Sequence, residues 1–211
     1  MNRTFLIILM IGTAMMIAVI GQHEPTTQLD TMPWEVDRLE NGSLRAFGIT
    51  LGKTSIQEAN QIFASFGKTQ LQVTTDNDEY QTYQLIASYD GLIIGGLIAQ
   101  IQLTYQIEQN ELQSVYHSVD NSQVSQKDNQ EIQLYSVSNK IEMDYLSTPI
   151  SAITYIPSID YGLETIQQNF GPATEEMKLS EEEKVLNYPE MGLKIYVHKN
   201  KPDQFVYAPL K

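Results

Sequence analysis

Apolar residues fill the chain from Phe5 to Ile20, interrupted only by Gly12 and Thr13 and free of charge, and no second run like it follows. Gln22 to Arg45 has no sustained periodicity and carries Pro25, Pro33 and Gly42, so it reads as a tether. Beyond it the pattern becomes that of a folded domain and then repeats. Ile49-Thr50 leads to Thr54, with Gln57 three positions on, then to Ile56, Ala59, Ile62 and Phe66 at helical spacing, and to Gly67. Ile153-Thr154 leads to Pro157-Ser158, then to Ile159, Leu163, Ile166 and Phe170, and to Gly171-Pro172. In each copy a hydroxyl residue is placed to cap a first helical turn, because its oxygen accepts otherwise orphaned N–H groups. In each, a glycine stands where a left-handed residue ends helices. The pattern predicts helices over 54–66 and 158–170, with Ile62, Phe66, Ile166 and Phe170 buried.

Strand patterns follow each helix. Tyr80 to Tyr89 alternates, Asp90-Gly91 is a hairpin signal, and Leu92 to Tyr105 continues in β-favouring residues broken at Gly95-Gly96. In the second copy the strands run from Lys184 to Tyr188, Leu193 to His198 and Gln204 to Tyr207. The expected fold class is α+β: an N-terminal transmembrane or signal helix followed by two repeated helix-plus-antiparallel-meander units. The expected divisions are an anchor or signal peptide at 1–21, a tether at 22–45, repeat 1 at 46–105, a polar connector at 106–149 and repeat 2 at 150–211. Within the connector, Leu112, Val115 and Val119 suggest a short helix, Ile132 and Leu134 a strand, and Asp120 to Glu131 a loop.

The run from Ser158 to Ala173, followed by a hairpin at Tyr188 and Gly192, resembles the SmpA/OmlA family of small bacterial envelope modules. Its known member is the small lipoprotein of the outer-membrane β-barrel assembly machine. A tandem of such units is also similar to the β-lactamase-inhibitor-protein architecture. The chain departs from the family in lacking a lipidated cysteine, in placing Pro172 one position early, and in having Lys68-Thr69 with no proline in the first copy. The resemblance implies a non-catalytic binding or assembly module.

The N-terminal run admits two readings. Residues 5–21 at about 1.5 Å each span roughly 25 Å, enough for a thin bilayer and short of the usual spanning length. Val19 and Gly21 are small residues at which a signal peptidase would cut. Arg3 precedes the run, and Glu24 and Asp30 are the first charges after it, so both readings place Gln22 onward outside the cytoplasm. The expected location is a bacterial inner membrane, single-pass, with a periplasmic C-terminal domain; the alternative is a soluble periplasmic or secreted protein after cleavage near Gly21.

Charge and composition narrow the chemistry. The net charge of −13 repels phosphate backbones, so nucleic acid is not an expected partner. With no cysteine there is no disulfide, thiolate metal site or cysteine nucleophile. His23, His117 and His198 lack metal-ligand spacing and read as exposed bystanders. Asp76-Asn77-Asp78-Glu79 fails as a calcium loop, because the required glycine and glutamate positions are Gln81 and Ala87. Gly52-Lys53-Thr54 fails as a P-loop, because its first glycine falls at Phe47. The acidic cluster Glu175-Glu176 and Glu181-Glu182-Glu183 reads as a solvated loop before a strand.

No catalytic residue, cofactor or metal is therefore expected. The expected function is a membrane-anchored protein-binding or assembly subunit whose partner is another envelope or membrane protein. A soluble binding or inhibitor protein and a hydrolase with an unrecognised site are the alternatives. Tyr80, Tyr83, Tyr89 and Trp34 are the candidate contacts, since exposed aromatics dominate interface energetics. Alternation puts Tyr83 and Tyr89 on one face of a strand and Tyr80 on the other.

Overall fold

The computed structural model describes residues 27–75, 80–119, 122–127 and 130–209. The run at 5–20, His23 and the Asp76–Glu79 turn lie outside the described residues. Strands begin with β1 (Gln28–Leu29), β2 (Asp37–Arg38), β3 (Leu44–Ala46) and β4 (Ile49–Thr50). After α1 (Ile56–Ile62) come β5 (Lys68–Thr75), β6 (Gln81–Ile94) and β7 (Leu97–Tyr105). Next are α2 (Gln109–Tyr116), β8 (Ser122–Lys127), β9 (Gln130–Ser136), α3 (Asn139–Asp144) and β10 (Ile150–Pro157). The chain finishes with α4 (Gly162–Phe170), β11 (Glu175–Lys178), β12 (Glu183–Tyr188), β13 (Leu193–His198) and β14 (Gln204–Tyr207).

Ten strands form one antiparallel sheet in the order β11-β12-β13-β14-β10-β7-β6-β5-β9-β8, and β1 adds parallel beside β6 as the eleventh. This corrects the expected fold class. The helices described are four, of six to nine residues, and strands dominate. Two separate helix-plus-meander units are replaced by a continuous sheet. The seam that joins its halves is β7 against β10, with Leu103↔Ile153 and Ile101↔Tyr155 in register. Both strands bury alternate residues, so pairing them extends one apolar face instead of closing two. Among the described residues no helix is long and apolar enough to cross a membrane.

Local details explain why the repeat misled. The cap of α1 is Ser55 and not Thr54: its Oγ accepts from the Glu58 N–H at 3.3 Å, while Glu58 Oε2 accepts from the Ser55 N–H at 2.8 Å. The Thr54 hydroxyl instead accepts from the Thr50 N–H. The helix ends at Phe63, and Ala64 turns left-handed (φ +45°), so Phe63 is buried and Phe66 is 87 % exposed. Gly67 does not end the helix; a Cβ there would sit 2.6 Å from the Tyr89 ring, so glycine serves close approach. In the second copy the cap is not Ser158, because α4 starts at Gly162 and leaves Ile159 exposed. Ile166 and Phe170 are buried, as the spacing requires.

Two turns also differ from expectation. Asp90-Gly91 is a bulge inside β6 and not a hairpin, and the chain reverses at Gly95-Gly96, both with positive φ, as a two-residue hairpin demands. The expected loop from Asp120 to Glu131 contains β8, which pairs antiparallel with β9. Its polar sequence hid it, because an edge strand is held by main-chain pairing and needs no apolar face.

All four helices pack on one face. Phe63 meets Tyr89, Tyr116 meets Tyr83 and Tyr135, Glu142 reaches Thr69, and Phe170 meets Phe205 and Tyr188. The small sheet β2-β3-β4 joins this layer through Phe47, whose ring stacks near Tyr155 and Tyr207 at 5.4 and 5.5 Å.

Candidate functional site

Three places combine exposure or unusual burial with polar chemistry. The first is the sheet's second face. A row of directly paired residues crosses eight strands: Lys68, Ser88, Gln102, Thr154, Val206, Lys194, Asn187 and Glu175. Beside it runs Ser136, Gln70, Ile86, Thr104 and Ala152. Alternation puts these side chains on the face opposite Leu103 and Tyr155, where Gln70 and Ile86 are buried and Ser88, Gln102, Thr154 and Val206 are half-buried. The middle of the face is uncharged, and its ions stand towards the ends of the longer row. Among the described residues no helix lies on it.

The second is a cleft of about 430 Å³ between the start of β6 and α2, lined by Tyr80, Gln81, Tyr83, Gln109, Asn110 and Gln113. Its wall is fixed by one side chain. Gln109 Oε1 accepts from the Tyr83 N–H at 3.0 Å, and its Nε2 donates to the Tyr83 carbonyl at 2.8 Å, so an amide completes a strand edge. The Tyr83 hydroxyl donates to Gln81 Oε1 at 2.8 Å, and burial raises its pKa. Behind it Tyr83, Tyr116 and Tyr135 pack ring against ring.

The third is a buried corner at the end of β13. Asp203 is 1 % exposed, accepting from the His198 and Tyr161 N–H groups at 3.2 Å each. Burial raises its carboxyl above the usual range, against the two N–H groups that favour the anion. His198 is buried, and its Nδ1 lies 3.8 Å from Glu183 Oε1. Its Nε2 has no partner among the described residues. The expectation of three exposed histidines is thus corrected: His198, on the Lys194 side of β13, is buried between Glu183 and the Asp203 turn, while His117 is exposed against Tyr116. Among the described residues no cluster of three His, Asp or Glu is placed to hold a metal ion.

The four aromatic candidates separate. Tyr83 and Tyr89 are core residues; the Tyr89 hydroxyl donates to Asn60 and burial pushes its pKa up. Tyr80 is 66 % exposed at the mouth of the cleft. Trp34 is half-buried edge-on to Phe170, with centroids 6.1 Å apart. Gln102, Thr154, Gln109 and Asn110 carried no motif in the sequence. Only the strand register and the helix placement bring them together. Comparison with family models, with curated proteins and with solved structures returns no match.

Proposed function

We propose that this chain is an extracytoplasmic binding module, without catalysis of its own, that docks a partner protein on the second face of its sheet. The carrying observation is the row through Ser88, Gln102, Thr154 and Val206, uncharged in a chain of net charge −13. Interface centres are depleted of charge, whereas a face meant only to stay wet gains nothing from excluding it. The acidic surface elsewhere disfavours nucleic acid and anionic lipid as occupants. The apolar run at 5–20, with Arg3 before it and acids after it, supports a membrane tether with the domain on the far side. The partner is accordingly an envelope or membrane protein.

The test is site-specific photo-crosslinking in intact cells, with the crosslinker in place of Gln102 or, as control, of the exposed Gln168 on α4. A discrete protein adduct from position 102, absent from 168 and abolished by Thr154→Arg, is the expected result. An adduct of twice the chain's own mass makes the occupant a second copy. No adduct from position 102 overturns the reading.

A further inference from the structure

We propose that the cleft between β6 and α2 binds a short, uncharged saccharide bearing acetamido groups. The site is separate from the second face, and its failure would leave the partner-docking reading standing.

The argument starts from what lines the cleft. Of the six described residues that line it, four are carboxamides, Gln81, Gln109, Asn110 and Gln113, and the other two are Tyr80 and Tyr83. Among the described residues no lysine, arginine, aspartate or glutamate lines it, so a phosphate, carboxylate or ammonium ligand meets no counter-charge from them. Among the described residues no aliphatic side chain lines it either, so the apolar anchors of a peptide find nothing there to fill.

The carboxamides divide into wall and donors. Gln109 is spent on the main chain of Tyr83, and Gln81 Oε1 on the Tyr83 hydroxyl. Asn110 Oδ1 accepts from the Glu111 N–H at 2.9 Å. What remains without a hydrogen bond within the described residues is mostly NH2 groups: Gln81 Nε2, Asn110 Nδ2 and the Gln113 amide, whose carbonyl adds one acceptor. A set of neutral donors asks for neutral acceptors, namely carbonyl and hydroxyl oxygens. Acetamido sugars carry both on a rigid ring.

The tyrosine supplies the second half of the recognition. The Tyr80 ring is two-thirds exposed at the cleft mouth, a flat apolar surface on which the C–H face of a pyranose stacks. A volume of about 430 Å³ admits two or three sugar rings in an open groove, and ligand sites generally span about 300–1,000 Å³. The Gln109 clamp and the Tyr83–Tyr116–Tyr135 stack hold the wall before any ligand arrives, which reduces the ordering cost of binding.

The experiment uses the full chain in lipid nanodiscs free of sugar detergents, with tri-N-acetylchitotriose as probe and saturation-transfer NMR with calorimetry as readouts. Maltotriose, which lacks acetamido groups, and blocked tetra-alanine are the comparison ligands. The expected result is binding of the chitotriose alone, with affinity in the weak range near about 1 mM or tighter. Tyr80→Ala and Asn110→Ala, both at exposed positions, each weaken it by about tenfold, while Gln168→Ala leaves it unchanged. Melting curves of the variants matching the parent show that the loss is not unfolding. Absence of chitotriose binding well above about 1 mM, or binding indifferent to both cleft variants, overturns the proposal. Equal binding of maltotriose or of the peptide overturns the ligand class.

Discussion

The Tyr207 hydroxyl donates a 2.6 Å hydrogen bond to the carbonyl of Pro33, joining the last strand to the segment before β2 across 174 positions of sequence. Both groups are buried, and burial raises the Tyr207 pKa well above its ordinary value. Tyr207→Phe removes the donor and strands the carbonyl. A loss of about 1–3 kcal/mol is expected, read as a lower urea midpoint at unchanged slope. A variant as stable as the parent would show that water replaces the tyrosine.

Phe47 and Phe66 make a second, paired prediction. Phe47 is buried at positive φ (53°) in the turn between β3 and β4, a conformation tolerated because its ring is packed against Tyr155 and Tyr207. Phe47→Ala should cost about 3–5 kcal/mol and detach the small sheet. Phe66→Ala, at an 87 % exposed position, should stay within about 0.5 kcal/mol. Thermal unfolding of the two variants side by side checks both.

That contrast also marks how far the sequence could be read. The strand pattern was legible wherever burial is one-sided: Tyr83 to Tyr89, Leu193 to His198, Gln204 to Tyr207 and the Ile153-Thr154 strand all fall in β-structure. The stripe at Ile166 and Phe170 was legible for the same reason. Phe66 was misread because a single left-handed residue, Ala64, ends the helix early, and alanine gives no warning of it. The joining of two halves into one sheet was hidden, since a strand with alternate apolar residues does not announce which strand lies beside it. The candidate sites were hidden more deeply. Gln109 is one glutamine among many until its amide is seen closing the edge at Tyr83.

Asp203 yields a pH prediction. Burial raises its carboxyl pKa in the folded state, so the folded chain holds the proton at pH values where the unfolded chain has released it. Its contribution to stability is therefore full below the unfolded carboxylate value of about 3.9 and is lost as pH rises through the raised folded value. Asp203→Asn deletes that titration while keeping one acceptor for the His198 or Tyr161 N–H. Denaturation free energies across the acidic range should fall less with rising pH in the variant than in the parent. Parallel curves would place the titrating group elsewhere.

Gly192 supplies a steric prediction. It takes positive φ (55°) after the turn that follows β12, and a Cβ there would collide with the Leu44 side chain and with the Ala208 carbonyl at 2.5 Å. The same carbonyl turn is anchored by the Ala208 N–H donating to the Gly192 carbonyl at 2.8 Å. Gly192→Ala should destabilise by more than about 2 kcal/mol, because backbone and not a flexible side-chain end must move. Far-UV and near-UV melting of the variant reads this directly.

The β7–β10 seam has a consequence for the chain's birth. Synthesis runs from β5 to β7 as neighbours that pair at once, yet β10 emerges only after residues 106–149. Until then the outer side of β7 offers Leu97–Tyr105 as an unsatisfied hydrogen-bonding template. A newly made chain thus passes through an interval in which any extended segment, its own or a neighbour's, competes for the place of β10. Folding is decided in that interval, and a holdase that shields a single strand edge would serve this protein better than one that shields bulk apolar surface.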